Sequence, residues 1–186
     1  MVSKLRIKIF FIIAAFALGS TAFANDNIHF YQNAIDSQDQ YVDDFAVAQK
    51  DGKYGFVNKN DEFVVKPKYN YAQNTKGDYF FVCKDEKGEK CTYMHKKTHK
   101  FLTIFKYIGG GNSDISEGFS EGRAKVVVTD KNGKWKTGYI NESGKEVITP
   151  QYVWGSAFRN GVAEVRLTEE FPRKTIKIDK AGKVVK

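Results

Sequence analysis

Two cysteines are the residues whose type and spacing most readily do chemistry in this chain. Cys83 and Cys91 bracket Lys84-Asp85-Glu86-Lys87-Gly88-Glu89-Lys90, a polar run with a turn glycine. A hairpin centred on Lys87 sets the two side chains opposite each other on neighbouring strands, at a Cα separation that a disulfide tolerates. Closing so short a loop gains roughly 2–3 kcal/mol in the chain-entropy picture. The spacing is not Cys-x-x-Cys and no helix start lies nearby to lower a thiol pKa, so a structural disulfide is expected rather than a redox couple.

The other reactive side chains form no recognisable constellation. His95 and His99 flank Lys96-Lys97-Thr98 near a turn, without a further His or Cys close by, and read as surface histidines. Asp43-Asp44 and Glu169-Glu170 are adjacent pairs. On a strand such neighbours point to opposite faces, whereas an acid–base pair must converge. Neither Gly-x-Ser-x-Gly nor Gly-x-x-x-x-Gly-Lys-Ser/Thr is present. Gly109-Gly110-Gly111 follows an apolar run but leads into no amphipathic helix, and reads as a flexible loop rather than a phosphate cradle. No catalytic, cofactor-binding or metal-binding residue is assigned, and the expectation is a protein that is not an enzyme.

The elements around these residues repeat. Phe119-Ser120-Glu121-Gly122-Arg123-Ala124-Lys125-Val126 and Phe158-Arg159-Asn160-Gly161-Val162-Ala163-Glu164-Val165 share the pattern Phe-x-x-Gly-x-Ala-x-Val. Gly55-Phe56-Val57-Asn58 through Tyr69 aligns without a gap on Gly138-Tyr139-Ile140-Asn141 through Tyr152. Both run through a turn and two branched residues to Pro-x-Tyr, at Pro67 and Pro150, and Pro67, which cannot donate to a ladder, is expected at a strand end or edge. Degenerate copies follow at Phe80 to Tyr107, with one extra residue before the Tyr, and at Ala163 to Val185. The chain is therefore expected to be all-β, with about four degenerate repeats of short antiparallel hairpins sharing one apolar layer. Phe119, Phe158, Tyr69, Tyr107 and Tyr152 recur at matching places and are expected to fill that layer.

Three segments precede or make up this array. Lys4, Arg6 and Lys8, an apolar run from Ile9 to Leu18, and Ala22-Phe23-Ala24 read as a cleaved signal peptide over 1–24. The apolar run is about ten residues, whereas a membrane span needs roughly twenty, so no stable membrane insertion is expected after cleavage. Residues 25–44 read as a leader or small cap, and 45–186 as the β domain. Cleavage lowers the formal charge from +8 to about +5. Lys and Glu interleave throughout, which suits a solvated surface or weak attraction to an anionic envelope polymer. Export and the lack of an Arg-rich patch argue against nucleic acid. Localisation is expected to be periplasmic or extracellular.

Gly133-Lys134-Trp135, Gly138-Tyr139-Ile140, Ser143-Gly144-Lys145, Pro150, Tyr152, Ala157-Phe158 and Gly161-Val162-Ala163 resemble the bacterial WG-repeat (KWG-repeat) family. The resemblance covers about 45–186 and is strongest at 45–72 and 119–165. It departs where Lys136-Thr137 stand between Trp135 and Gly138, and where Tyr54-Gly55 replaces Trp-Gly. What the resemblance implies is a β-rich repeat array, often exported, that mediates binding, with no catalytic residues. The leading expectation is an exported, non-enzymatic binding or interaction protein with an unknown protein or an anionic envelope polymer as partner. The alternatives are a cell-wall enzyme or accessory factor, or an envelope protein that neutralises a secreted effector. Trp135 and Trp154 are the candidate partner-binding residues.

Overall fold

The computed structural model describes residues 29–31, 41–109, 115 and 117–185, so the segment 1–24, expected to be a signal peptide, lies outside the described residues. Strands β1 (His29–Tyr31), β2 (Phe45–Lys50), β3 (Lys53–Asn58) and β4 (Phe63–Tyr69) form one antiparallel meander. A second sheet joins β5 (Tyr71–Asn74), β6 (Tyr79–Cys83) and β7 (Cys91–His95). A third joins β8 (Phe119–Ser120), β9 (Arg123–Thr129), β10 (Trp135–Ile140) and β11 (Glu146–Tyr152). The fourth joins β12 (Trp154–Gly155), β13 (Val162–Arg166), β14 (Thr175–Asp179) and β15 (Val184–Val185). Each unit is thus a short leading strand, a hairpin and a return strand. In unit two the return is segment 101–107, which meets β7 through the isolated bridges Cys91↔Tyr107 and Met94↔Phe101 and through the Thr92 hydroxyl, 2.9 Å from that of Thr103. That irregular return is where the extra residue before Tyr107 is absorbed. Of residues 25–44, His29–Tyr31 adds β1 to the edge of β2, and residues 25–28 and 32–40 lie outside the described residues.

The most regular device in the repeat pairs a glycine with a proline. Pro67 does not stop its strand: it lies inside β4, as Pro150 lies inside β11, but both are edge strands of their sheets, the other place expected for Pro67. The register of β3 against β4 shifts after Tyr54, and that of β10 against β11 shifts after Thr137. Such a bulge removes the ladder bond that proline cannot donate. It also pushes the return strand inward. A Cβ on Gly55 would stand 2.3 Å from the Val65 carbonyl oxygen, and one on Gly138 would stand 2.5 Å from that of Ile148. The glycine before each aromatic is therefore required by space, not by an unusual φ.

Turn side chains cap the hairpins in the same way in several places. Asn58, Asp130, Asn141 and Asp179 each accept two backbone amides through Oδ1, from the residues two and four positions on. These short polar groups replace the ladder where the strands part. At Asp130 the amide of Lys134 contributes most to holding the carboxyl below the usual range.

Two further contacts clip units together. Asp43 and Glu121 occupy equivalent turns at positive φ (48° and 51°). Asp43 accepts the Gly77 amide at 2.8 Å and the Lys96 ammonium at 3.3 Å. Glu121 accepts the Gly161 amide at 2.9 Å and the Lys180 ammonium at 3.1 Å. Lys96 and Lys180 each follow the last residue of a second hairpin strand, so unit one clasps unit two as unit three clasps unit four. Asp43-Asp44 therefore sit in a turn rather than on a strand. Their side chains diverge to Lys96 and Lys59.

The repeated aromatics all turn inward, but into neighbouring clusters. Tyr69 belongs with Phe56, Phe80 and Met94; Tyr107 belongs with Phe81, Tyr93 and the disulfide, with Phe119 packed beside them; Tyr152 and Phe158 belong with Tyr139 and Ile178. The apolar layer runs along the array in these sections because each leading strand leans on the sheet before it, β5 on β2 and β3, and β12 on β10.

Candidate functional site

β12 is only two residues long, and the residues in and after it form one wall of a cleft. Trp154 pairs across the ladder with Arg166, whose guanidinium lies 4.7 Å from the indole centroid. Gly155 faces the other way, with the Tyr139 hydroxyl and the Thr137 methyl occupying the space a Cβ would take. Tyr139 Oη donates to the Ser156 carbonyl at 2.7 Å, and burial pushes its phenol well above the ordinary range. The chain then runs through Ala157 to Arg159, which forms an ion pair with Glu117 at 2.9 Å. Tyr93 of β7 donates to the Lys125 carbonyl at 3.0 Å and brings unit two against unit three.

These segments enclose a cleft of about 190 Å³ at the meeting of units two, three and four. Tyr93 and Ile115 are among its apolar lining; Trp154, Lys125, Glu117 and Arg159 present an aromatic surface and both signs of charge. A wider hollow of about 430 Å³ lies between Arg123, Lys145 and Lys180. It has no aromatic wall. The smaller cleft is the better-built site.

The structure separates the two tryptophans. Trp154 is 37% exposed and lines the cleft. Trp135, 44% exposed, begins β10 opposite Thr129 and is not among the cleft residues. Both lie at the same end of adjoining sheets, since Thr137 pairs with Tyr152 and each tryptophan is two residues beyond that pair.

The expected disulfide is present. Cys83 and Cys91 face each other in β6 and β7 with Cα atoms 4.0 Å apart. Gly109 corrects the expectation of a flexible glycine loop at its own position. It is buried, donates to the Gly88 carbonyl at 2.8 Å, and has the disulfide sulfurs and the Phe81 ring where a side chain would stand. Gly110 and Gly111 lie outside the described residues. His95 Nδ1 accepts the amides of Lys97 and Thr98, so it caps a turn. Among the described residues no group of three His, Cys, Asp or Glu is placed to hold a metal ion. Glu169 and Glu170 are exposed between β13 and β14.

Arg159, Lys125 and Glu117 were not singled out by sequence reasoning, although a signal for two of them exists. Arg159 and Lys125 occupy variable positions of Phe-x-x-Gly-x-Ala-x-Val, where the other copy has Ser120 and Glu164. Sites built on repeats draw on the positions the scaffold leaves free. Comparison with known proteins bears on the scaffold. Residues 54–87 and 138–169 match the family model described as WG containing repeat. No curated protein and no solved structure matches the chain.

Proposed function

Taking the chain as the WG-repeat protein that these two matches make it, we propose that it is an exported, non-enzymatic binding protein whose recognition site is the Trp154 cleft. One observation carries the reading. The turn side chains Asn58, Asp130, Asn141 and Asp179 cap hairpins, and Asp43 and Glu121 clip units together. The cleft instead collects a partly exposed indole and a cation from unit four, a second cation from unit three and a carboxylate from the segment before it, at positions the repeat does not need. Pockets that bind usually combine an apolar wall with a few convergent polar groups. The disulfide suits an oxidising compartment. Among the described residues no helix is long and apolar enough to cross a membrane.

The test is affinity capture. Residues 25–186 and the Trp154→Ala variant, both folded and oxidised, are immobilised and exposed to envelope fractions of the source cell. The expected result is a partner retained by the first chain and lost from the second. Equal retention by both would place recognition elsewhere and remove the cleft from the proposal.

A further inference from the structure

We infer that the end of the array carrying Trp135, Trp154, Leu167 and Phe171 docks on an anionic phospholipid surface, a role that goes beyond the cleft and does not rest on it. These are four of the eight large apolar side chains exposed among the described residues. Val153 and its neighbours bring them together. Tyr152 pairs with Thr137, two residues from Trp135. The Val153 amide donates to the Arg166 carbonyl at 2.9 Å, one residue before Leu167, and Trp154 follows Val153 directly.

The repeat requires neither turn at this end. In unit one Tyr54 pairs with Tyr69 directly before Gly55; in unit three the inserted Lys136-Thr137 give that place to Thr137 and carry Trp135 two residues further along the hairpin. In unit four the turn between β13 and β14 runs from 167 to 174, where the matching turn of unit one is Asp51-Gly52. All eight of its residues are exposed, Phe171 by 82% and Leu167 by 54%. Apolar side chains exposed on turns suit a fluid interface, which takes them up without a fitted pocket.

Charge selects the kind of surface. Segments 130–136 and 166–174 hold six Lys or Arg against three Asp or Glu, a net of +3 with every acid of both turns counted. Arg166 lies 4.7 Å from the Trp154 ring centroid and Arg173 lies 4.9 Å from that of Phe171. A stacked guanidinium keeps its charge, and its N–H edge remains suited to phosphate. Ring and phosphate donor therefore arrive together, the apolar body at the acyl boundary and the charge among the headgroups. A second copy presenting the same end would set like charge against like.

The test is co-sedimentation of oxidised 25–186 with sucrose-loaded vesicles, made of phosphatidylglycerol and phosphatidylcholine in equal parts or of phosphatidylcholine alone. The mixed vesicles are expected to carry the chain down. The neutral ones should bind it about tenfold or more weakly, since each cation near an anionic surface contributes about fivefold. Salt at about 0.5 M should release it. The double variant Leu167→Ser, Phe171→Ser should lower partition about tenfold or more. Ile104→Ser, which removes a side chain 75% exposed in unit two, should leave it unchanged. Both changes fall on exposed residues, and melting temperatures equal to the parent's confirm that the variants fold. No sedimentation with mixed vesicles, equal sedimentation with neutral ones, or equal partition of the two variants would overturn the inference. Self-association without lipid that the double variant abolishes would also overturn it, assigning the surface to a second copy. Trp154-dependent capture without lipid binding removes this inference alone; lipid binding with capture indifferent to Trp154 removes the cleft alone.

Discussion

Replacing Gly155 by alanine tests how closely the units are fitted to each other. The new Cβ would stand 2.4 Å from Tyr139 Oη and 3.1 Å from Thr137 Cγ2. The phenol has little room to yield. Its ring is fully buried, packs edge-on against Phe158 at 5.0 Å, and its hydroxyl is bonded to the Ser156 carbonyl at 2.7 Å. Overpacking of this kind costs about 1–3 kcal/mol, and loss of the hydrogen bond about 1 kcal/mol more. The sum, about 2–4 kcal/mol, lowers Tm by roughly 5–15 °C in a chain of this size.

Unit one shows how the clash is relieved. There Phe56 takes the place of Tyr139 and Ala72 that of Gly155, inside one apolar cluster. Tyr139→Phe alone should cost about 1 kcal/mol, for the lost hydrogen bond. The double variant should be no less stable than Tyr139→Phe, so that the two changes couple favourably by about 2–4 kcal/mol in a double-mutant cycle. Calorimetry of the four chains reads this directly. Additive losses would refute the reasoning, because they would mean that the hydroxyl and the missing methyl do not share one space.

Other perturbations reach different parts of the fold. Cys83→Ser should cost about 2–3 kcal/mol under oxidising conditions through the lost cross-link, and reductant should erase much of the difference in melting. Gly138→Ala drives a Cβ into the Ile148 carbonyl oxygen and should destabilise the chain by about 2 kcal/mol or more in urea, whereas Gly→Ala at an unstrained position normally stabilises. The carboxyl of Glu121 is held below the usual range first by Lys180 and then by the Gly161 amide. Its folded pKa lies below the unfolded one, so its stabilisation is fully present above the ordinary carboxylate range and lost as pH falls through the folded value. Urea midpoints measured from neutral pH to about pH 3 should fall less steeply for Glu121→Gln than for the parent chain.

What could be read in the sequence was whatever the repeat states more than once. Gly55 with Pro67 and Gly138 with Pro150 announced a shared strand–turn–strand plan, and the polar run between Cys83 and Cys91 announced a cross-linked hairpin. The leading strands were not legible. Tyr71–Asn74, Phe119–Ser120 and Trp154–Gly155 are too short to show a period, and each is a strand because the next strand of its own sheet supplies its partner while the sheet before it supplies apolar backing. The edge position of Pro67 was legible, but its place inside β4 rather than at the end was not, because the bulge beside it depends on the facing glycine. The division of the aromatics among clusters depends on which sheet each leading strand leans on. The cleft was hidden for a similar reason. Tyr93, Lys125 and Trp154 come from three units, and Arg159 and Lys125 stand where the motif permits any residue.

The most direct test of the cleft as the recognition site uses its own indole. Trp135 and Trp154 are the two tryptophans of the chain, so Trp135→Phe leaves Trp154 as the sole indole reporter. When the envelope fraction that supplies the partner is titrated in, Trp154 emission should shift to shorter wavelength and become protected from acrylamide. Unchanged Trp154 emission, with the corresponding change appearing instead at Trp135 in a Trp154→Phe chain, would contradict the assignment.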